Sequence, residues 1–238
     1  MGNSALKRHF ETAEKTGVLN ISGAKLKEFP PRLLSLQSVL RTLDLSDNRF
    51  NSIPAEIGLF LQLKFLSLNK NKLDHLPTEI CQLIKLEVLN VSSNKLVSLP
   101  DSLSKLTNLK EVNFSENELS SFPTMLCKLK HLDVIDLSKN KITNIPSEIA
   151  TLHVTELNLN QNQISSISPE IAKCPKLKTL RMEENCLQLS SIPISLLRES
   201  KVTMINVEGN LFEMKQFTDL DGYDKYMERY TEVKKKLF

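Results

Sequence analysis

The chain has 238 residues, 40% of them apolar and 25% charged, and a formal net charge of +3. This composition is ordinary for a soluble protein of one large domain or two small ones. The small net charge, with no basic run interleaved with aromatic residues, disfavours a nucleic-acid-binding protein. No apolar stretch is long enough to span a bilayer, and no apolar core of a secretory signal follows the basic residues near the N-terminus. We therefore expect a cytosolic chain.

The first 17 residues predict a capping helix. Leu6, Phe10 and Ala13 are spaced so that they share one helical face, and Gly17 is placed to end the helix. A helix with one apolar face suits the open end of a larger apolar core, which we expect to follow it directly.

Gly2 follows the initiator methionine, and this start resembles an N-myristoylation site. The usual pattern has Ser or Thr at the sixth position, where this chain has Leu6. The alternative is that Gly2 only leads into a helix capped by Ser4. We predict lipid attachment at Gly2, with Lys7 and Arg8 supplying part of the second signal that a single acyl chain needs for stable membrane binding.

A repeat of about 23 residues organises residues 18–212. Its frame reads L-x-x-L-x-L-x-x-N-x-L-x-x-L-P, as in LKFLSLNKNKLDHLP at 63–77, and other apolar residues replace some leucines. We count nine copies, and in the first copy Ala24 stands where the frame has asparagine. The asparagines of the other copies are Asn48, Asn71, Asn94, Asn117, Asn140, Asn162, Asn185 and Asn210.

Each part of the frame predicts a local structure. The L-x-L core alternates with period two, which predicts a short strand with one buried face. The segment after each LP, such as 78–89, has apolar residues at helical spacing and predicts a short helix or 3₁₀ turn. One repeat cannot bury its own leucines, but stacked neighbours can. Because an asparagine amide both donates and accepts, we expect the eight asparagines to form a structural ladder that satisfies backbone groups at the turns.

The repeated frame resembles that of the leucine-rich-repeat family. The resemblance implies an α/β fold, a solenoid with a curved parallel sheet on its concave face, short helices or 3₁₀ turns on its convex face, and helical caps. We expect the anchor segment and capping helix at 1–17, nine repeats at 18–212 and a C-terminal capping helix at 213–238.

The C-terminal end has its own features. The last step between asparagines is longer than the others, which predicts a longer loop around 186–193. In the predicted capping helix, one helical face carries Leu220, Tyr223, Met227 and Tyr230.

The four cysteines predict neither disulfides nor a metal site. They form no CxxC pair, and no histidine lies at ligand spacing from them. Secreted members of the family usually have cysteine clusters in their caps, and this chain has none. We interpret all four as small, reduced core residues: Cys81, Cys127, Cys174 and Cys186.

Residues on either side of the central strand residue should point away from the core and form columns on the concave face. The column after the central residue is short and polar and suits hydrogen bonding to a partner. Its candidate partner-binding members are Asp44, Asn90, Asn113 and Asp136. In the column before it, Phe65 and Val88 are neighbours, and exposed apolar pairs of this kind anchor interfaces. The alternative is that two isolated apolar residues on a sheet have no function.

A third column lies directly after the asparagines and is basic over the first half of the chain. Its members there are Lys25, Arg49, Lys72 and Lys95. A solvated charged rim would explain it, and so would a surface that orients an acidic partner or a membrane.

No pattern typical of catalysis or cofactor binding is found. None of the six glycines forms a phosphate-binding loop, and the HExxH and GxSxG motifs are absent. Some enzymes of the family carry a catalytic domain beside the repeats, but the roughly 26 residues after Phe212 are too few for one. We expect a non-enzyme with no cofactor and no metal.

Together these features predict a rigid, monomeric scaffold whose concave sheet binds an unidentified protein. We expect it at the cytoplasmic face of membranes, anchored through the lipid on Gly2, with a cytosolic fraction and with no nucleic-acid partner. An alternative is a regulatory subunit of a phosphatase or small-GTPase signalling complex, which rests on family analogy alone.

Overall fold

The computed structural model describes the backbone of residues 3–235 and the side chains of residues 6–235. The chain divides into two compact units, Met1–Glu118 and Leu119–Phe238. The lipid attachment that we predict at Gly2 lies outside the described residues.

The first unit begins with a helix and continues as a parallel sheet. Helix α1 spans Asn3–Thr16. The strands pair in sequence order, each with the next. They are β1 (Val18–Asn20), β2 (Thr42–Asp44), β3 (Phe65–Ser67), β4 (Val88–Asn90) and β5 (Glu111–Asn113). The central residue of each strand is buried, as the period-two pattern predicts.

The segments that return from one strand to the next contain 3₁₀ turns. In the first unit these turns are Pro31–Leu36, Ala55–Leu59, Thr78–Gln82 and Asp101–Lys105. The proline of each LP pair immediately precedes a turn, as Pro77 does with φ −65° and ψ 144°. Because the proline ring holds φ near this value, it ends the extended segment and starts the turn. Ile80 and its equivalents point into the core from these turns.

Helix α1 closes the first end of the unit. Phe10 and Ala13 are buried, and the Gly17 amide donates to the Ala13 carbonyl at 2.9 Å. Gly17 has φ +69°, and a Cβ atom there would lie 2.7 Å from the Val39 carbonyl oxygen. Only glycine can therefore end the helix at this point and let the chain enter β1 directly.

The second unit repeats this construction. Strands β6, β8, β10 and β11 pair in that order in parallel, while β7 pairs with β9 in a separate two-stranded ladder. The strands are β6 (Val134–Asp136), β7 (Asn144–Ile145), β8 (Glu156–Asn158), β9 (Ser166–Ile167), β10 (Thr179–Arg181) and β11 (Met204–Asn206). The 3₁₀ turns are Thr124–Lys128, Ser147–Thr151, Pro169–Lys173 and Leu189–Ser191. The predicted fold class, a leucine-rich-repeat solenoid of parallel strands and 3₁₀ turns, is confirmed.

The C-terminal cap differs from the single helix that we predicted. After α2 (Ile194–Arg198), the chain forms two helices, α3 (Met214–Thr218) and α4 (Tyr223–Lys235). Leu220 precedes α4, and the buried tyrosine is Tyr226 rather than one of the residues on the predicted face. Four aromatic rings follow one another here with centroids about 6 Å apart: Phe217, Tyr223, Tyr226 and Tyr230.

Hydrogen bonds attach α4 to the last strand region. The Ile205 amide donates to Tyr226 Oη at 3.1 Å, and burial raises the pKa of this phenol. The Arg229 guanidinium donates to the carbonyls of Val202 and Leu197. These two side chains give hydrogen-bond partners to backbone groups at the end of the repeat array.

Three of the four cysteines are buried, as predicted, but Cys186 is exposed. Burial raises the pKa of the Cys127 thiol to about 11 and that of Cys174 to about 12. The interpretation of Cys186 as a core residue was wrong, because it follows the ladder asparagine Asn185 at a position where the chain faces solvent. The equivalent residues Lys72 and Lys95 are exposed in the same way.

Candidate functional site

The open face of the first sheet carries the predicted apolar pair. Leu66 is buried at the centre of β3, so the neighbouring Phe65 points outward, and its side chain is 44% exposed. Phe65 pairs in register with Thr42 on one side and Val88 on the other. Val88 is half-buried rather than fully exposed. The two side chains thus form one apolar spot, in which Phe65 presents most of the surface.

The polar column beside this spot is partly used by the protein itself. The Oδ1 atoms of Asp44, Asn90 and Asn113 each accept the amide N–H of the residue two positions later, at 2.9–3.0 Å. These bonds turn the chain after each strand. Among the described residues, the Nδ2 groups of Asn90 and Asn113 make no hydrogen bond. Asn90 and Asn113 can therefore still offer donors to a partner, whereas Asp44 can only accept hydrogen bonds.

Asp136 lies in the second unit, at the end of β6. Its Oδ1 accepts from the Ser138 amide at 2.9 Å and from the Ser138 hydroxyl at 2.7 Å. Nearby on the same sheet face, Arg181 and Glu156 form an ion pair with an N–O distance of 2.9 Å. This pair was not predicted, although opposite charges on adjacent strands in neighbouring columns are the signal for it.

The ladder asparagines connect each repeat to the one before it. Asn94 Nδ2 donates to Val91 O in its own turn at 2.9 Å and to Leu68 O in the preceding repeat at 3.0 Å. Its Oδ1 accepts from the Leu73 amide at 3.0 Å. The same contacts recur at Asn71 and Asn117. This ladder is a structural element and leaves few polar atoms for a ligand.

The direction of the ladder explains the first repeat. An asparagine bonds backwards to the preceding repeat, and the first repeat is preceded by α1 instead of a strand. Ala24 therefore stands where there is no preceding turn to satisfy. Its neighbours receive their bonds from the next repeat, as the Leu26 amide does from Asn48 Oδ1 at 2.9 Å.

The residue before each ladder asparagine has a left-handed backbone. Asp47, Lys70 and Ser93 have φ values of 52–54°, and Gly209 has 75°. The left-handed backbone was not predicted, because only the last of these positions has the glycine that favours such a φ. The asparagine bonds hold the turn closely enough to impose the conformation on ordinary residues.

A charged cluster that was not predicted from the sequence lies where the strands of the first unit begin. Glu87 accepts from Lys110 at 2.6 Å and from Lys64 at 2.9 Å. Hydrogen bonds from Lys110 and then Lys64 lower the pKa of Glu87 to about 2, so the carboxylate stays ionised. Each of these residues directly precedes a strand of the sheet, and that shared repeat position is the signal in the sequence.

Neither a metal centre nor a spanning helix is found in the described part of the chain. No group of three or more His, Cys, Asp or Glu residues between 3 and 235 is placed to hold a metal ion. None of the helices described there is both long and apolar enough to cross a bilayer. The predicted absence of a cofactor stays a prediction.

Family models match three successive stretches of the chain. Residues 18–125 match a leucine-rich repeat region, residues 131–152 match one leucine-rich repeat, and residues 153–196 match a model of two copies. The chain is a leucine-rich-repeat protein. Proteins with this fold generally serve as interaction modules.

Two sequence relatives share a short stretch with this leucine-rich-repeat chain. The mouse leucine-rich repeat and calponin homology domain-containing protein 2 is 42% identical over 60 residues. The human protein of the same name is 40% identical over 60 residues. The match covers 25% of this chain and 8% of the relative in each case.

Solved structures support the fold more broadly. Internalin C2 of Listeria monocytogenes superposes with a TM-score of 0.73 at 18% identity, over 85% of this chain and 92% of the internalin. The leucine-rich-repeat ectodomain of the Arabidopsis thaliana receptor kinase GASSHO1/SCHENGEN3 has a TM-score of 0.64 at 28% identity, over 81% of this chain and 27% of its own. That ectodomain was solved in complex with CASPARIAN STRIP INTEGRITY FACTOR 2.

Proposed function

We propose that this protein is a non-enzymatic scaffold that binds another protein on the open face of its first sheet. The observation that carries the proposal is Phe65, which is 44% exposed beside Val88 on a face whose other strand residues are mostly polar. The Arabidopsis relative, solved in complex with a factor, supports binding by this fold.

The energetics of this face suit a partner with a complementary apolar residue. Complete burial of a phenylalanine side chain contributes about 1.5–3 kcal/mol, so covering Phe65 would supply a substantial part of a moderate affinity. The Nδ2 donors of Asn90 and Asn113 lie on the neighbouring column and can pair with acceptors of the partner. An aromatic anchor bordered by hydrogen-bonding groups is the usual centre of a protein interface.

The test compares binding partners of three versions of the full chain, each fused at its C-terminus to a proximity-labelling enzyme. These are the wild type, Phe65→Glu and the matched control Val97→Glu, whose side chain is 57% exposed but lies outside the sheet. We expect a partner that Phe65→Glu loses and Val97→Glu retains. With the purified partner, Phe65→Glu should weaken binding at least about tenfold, which corresponds to about 1.4 kcal/mol.

Equal labelling by all three proteins, with unchanged melting temperatures, would place the binding site elsewhere. The identity of the lost partner also tests the regulatory alternative. A phosphatase catalytic subunit or a small GTPase in that position would make the chain a regulatory subunit of a signalling complex.

We also propose that the protein attaches to the cytoplasmic face of membranes through a lipid on Gly2. The sequence motif supports this proposal, since removal of Met1 would present Gly2 as the acceptor. A single myristoyl chain binds bilayers only marginally, at about 10⁴ M⁻¹, so attachment would be reversible without a second contact.

A further inference from the structure

Two exposed aliphatic side chains lie side by side where strands of the first unit begin. Leu61 and Ile84 each precede a strand by four residues, before β3 and β4 respectively. Their side chains are 50% and 55% exposed. Because β3 and β4 pair in register, equivalent residues of the two repeats are neighbours, separated by about one strand spacing of ~4.8 Å.

Three lysines lie at the strand entries of the same repeats and of the next one. Lys85 follows Ile84 directly, while Lys64 and Lys110 precede β3 and β5. Lys64 and Lys110 share the single carboxylate of Glu87 and remain 47% and 62% exposed. Since the pKa of Glu87 is about 2, it carries one negative charge at neutral pH against three positive charges.

Lys85 makes no ion pair with the acids of residues 6–235. Its ammonium group donates to the amide oxygen of Gln62 at 2.6 Å, and this acceptor is neutral. The three lysines and Glu87 therefore have a net charge of +2, at the same strand entries as the two exposed aliphatic side chains. Large exposed apolar groups with uncompensated charge around them are typical of a surface that binds something of opposite charge.

We propose that this strand-entry rim, defined as Leu61, Lys64, Ile84, Lys85 and Lys110, binds the anionic surface of a lipid bilayer. The aliphatic side chains would enter the boundary between headgroups and acyl chains, and the lysines would lie among the acidic headgroups. The rim supplies the second contact that the proposed Gly2 lipid needs, but it does not depend on that lipid.

The chemistry of the rim favours a bilayer over an acidic protein. All three cations are lysines, which act as flexible point charges and suit mobile headgroups, whereas arginine is the residue that recognises fixed carboxylates in two-pronged geometry. The apolar members are aliphatic and stand at loop positions, whereas protein interfaces favour aromatic anchors in their centres.

The experiment uses the full chain carrying Gly2→Ala, so that no lipid contributes. Its sedimentation is measured with vesicles of phosphatidylcholine alone and with vesicles that contain about 30% phosphatidylserine, at about 0.1 M salt. We expect binding to the anionic vesicles only, and we expect it to weaken as salt is raised. Each charge removed from the rim should weaken binding about fivefold.

Two variants and two matched controls locate the contact. Lys85→Glu changes the charge by two and should weaken binding about 25-fold, while Ile84→Ser should weaken it about tenfold. Lys95→Glu and Val97→Ser alter an exposed lysine and an exposed apolar residue just after the ladder asparagine Asn94, and should change binding less than threefold. The four variants should have the same melting temperature as the parent protein.

Absence of binding to the anionic vesicles would overturn the proposal, as would equal losses for Lys85→Glu and Lys95→Glu. The proposal would also be overturned if no vesicle binds and an acidic protein binds in a way that depends on Lys85. The rim would then be a protein-docking surface. Because the parent lacks the lipid, a wild type that proves unmyristoylated leaves these results unaffected, so failure of the anchor and failure of the rim are distinguishable.

Discussion

At the scale of single residues, the ladder asparagine makes hydrogen bonds to two repeats that no other side chain in the repeat can make. Asn94 donates hydrogen bonds to carbonyls of its own repeat and of the preceding repeat. It also accepts a hydrogen bond from a backbone amide of the preceding repeat. Aspartate would lack the donors, and serine would be too short to reach both turns. The asparagine also holds Ser93 in a left-handed backbone that serine seldom adopts alone.

We expect Asn94→Ala to lower the free energy of unfolding by about 1–3 kcal/mol, because the Leu73 amide loses its acceptor. The Leu68 and Val91 carbonyls each lose one donor and keep a second one from a neighbouring ladder asparagine. The midpoint of a thermal melt should fall by about 2–4 °C for each kcal/mol. Asn51→Ala is the matched control, since Asn51 is exposed and outside the ladder, and it should leave the midpoint within a degree or so. Equal midpoints for the two variants would show that the ladder contributes little.

At the scale of elements, the two ends of the repeat array are closed by different means. At the first end, α1 buries an apolar face, and its glycine stop leads directly into β1. At the last, α4 instead supplies polar side chains to the backbone, because Tyr226 accepts from the amide of β11 and Arg229 donates to carbonyls before it. The Ile205 amide of this edge strand is therefore not free to pair with another chain.

Tyr226→Phe tests this cap. Loss of the hydroxyl leaves the Ile205 amide without its acceptor, so the unfolding free energy should fall by about 1–3 kcal/mol. Hydrogen exchange at Ile205 should accelerate more than exchange at Leu66 in the first unit. Tyr230→Phe is the control, because its ring packs against Tyr226 and its loss of a hydroxyl should leave the Ile205 amide protected. If hydrogen exchange at the Ile205 amide is unchanged in Tyr226→Phe, the cap is held by packing of the aromatic rings alone.

At the scale of the whole molecule, the proposals join a protein-binding sheet face with attachment to a membrane. The two surfaces use different residues of the first unit, Phe65 and Val88 on the face, and lysines and aliphatic side chains on the strand-entry rim. The lipid on Gly2 and the rim would each bind weakly, and together they would raise the membrane-bound fraction by acting on the same chain.

The lipid proposal is tested on protein with an untagged N-terminus. Intact-mass analysis of the wild type should show the myristoyl increment, and Gly2→Ala should lack it and move to the cytosolic fraction. Lys85→Glu should keep the increment while losing part of its membrane fraction, which separates the lipid from the rim. A wild type without the increment, distributed like Gly2→Ala, would contradict the anchor and leave a scaffold without a lipid.

The sequence alone determined the fold, because its information is periodic. The strand register, the burial of residues such as Leu66 and the placement of the 3₁₀ turns after Pro77 all follow from a pattern repeated nine times, and an error in one copy is corrected by the others. The outward direction of Phe65 followed from the same alternation, since a residue next to a buried strand residue must point away from the core.

Only the tertiary structure decided what depends on contacts between repeats. The shared carboxylate of Glu87, the half-burial of Val88 and the use of Asn90 Oδ1 by its own turn require distances that the one-dimensional pattern does not contain. The C-terminal cap also depends on contacts that the pattern does not contain. Tyr226 is the buried tyrosine there, because α4 begins only at Tyr223 and no repeated pattern sets the rotation of this helix about its axis. Where the chain stops repeating, its sequence specifies an amphipathic helix, and packing selects the residue that is buried.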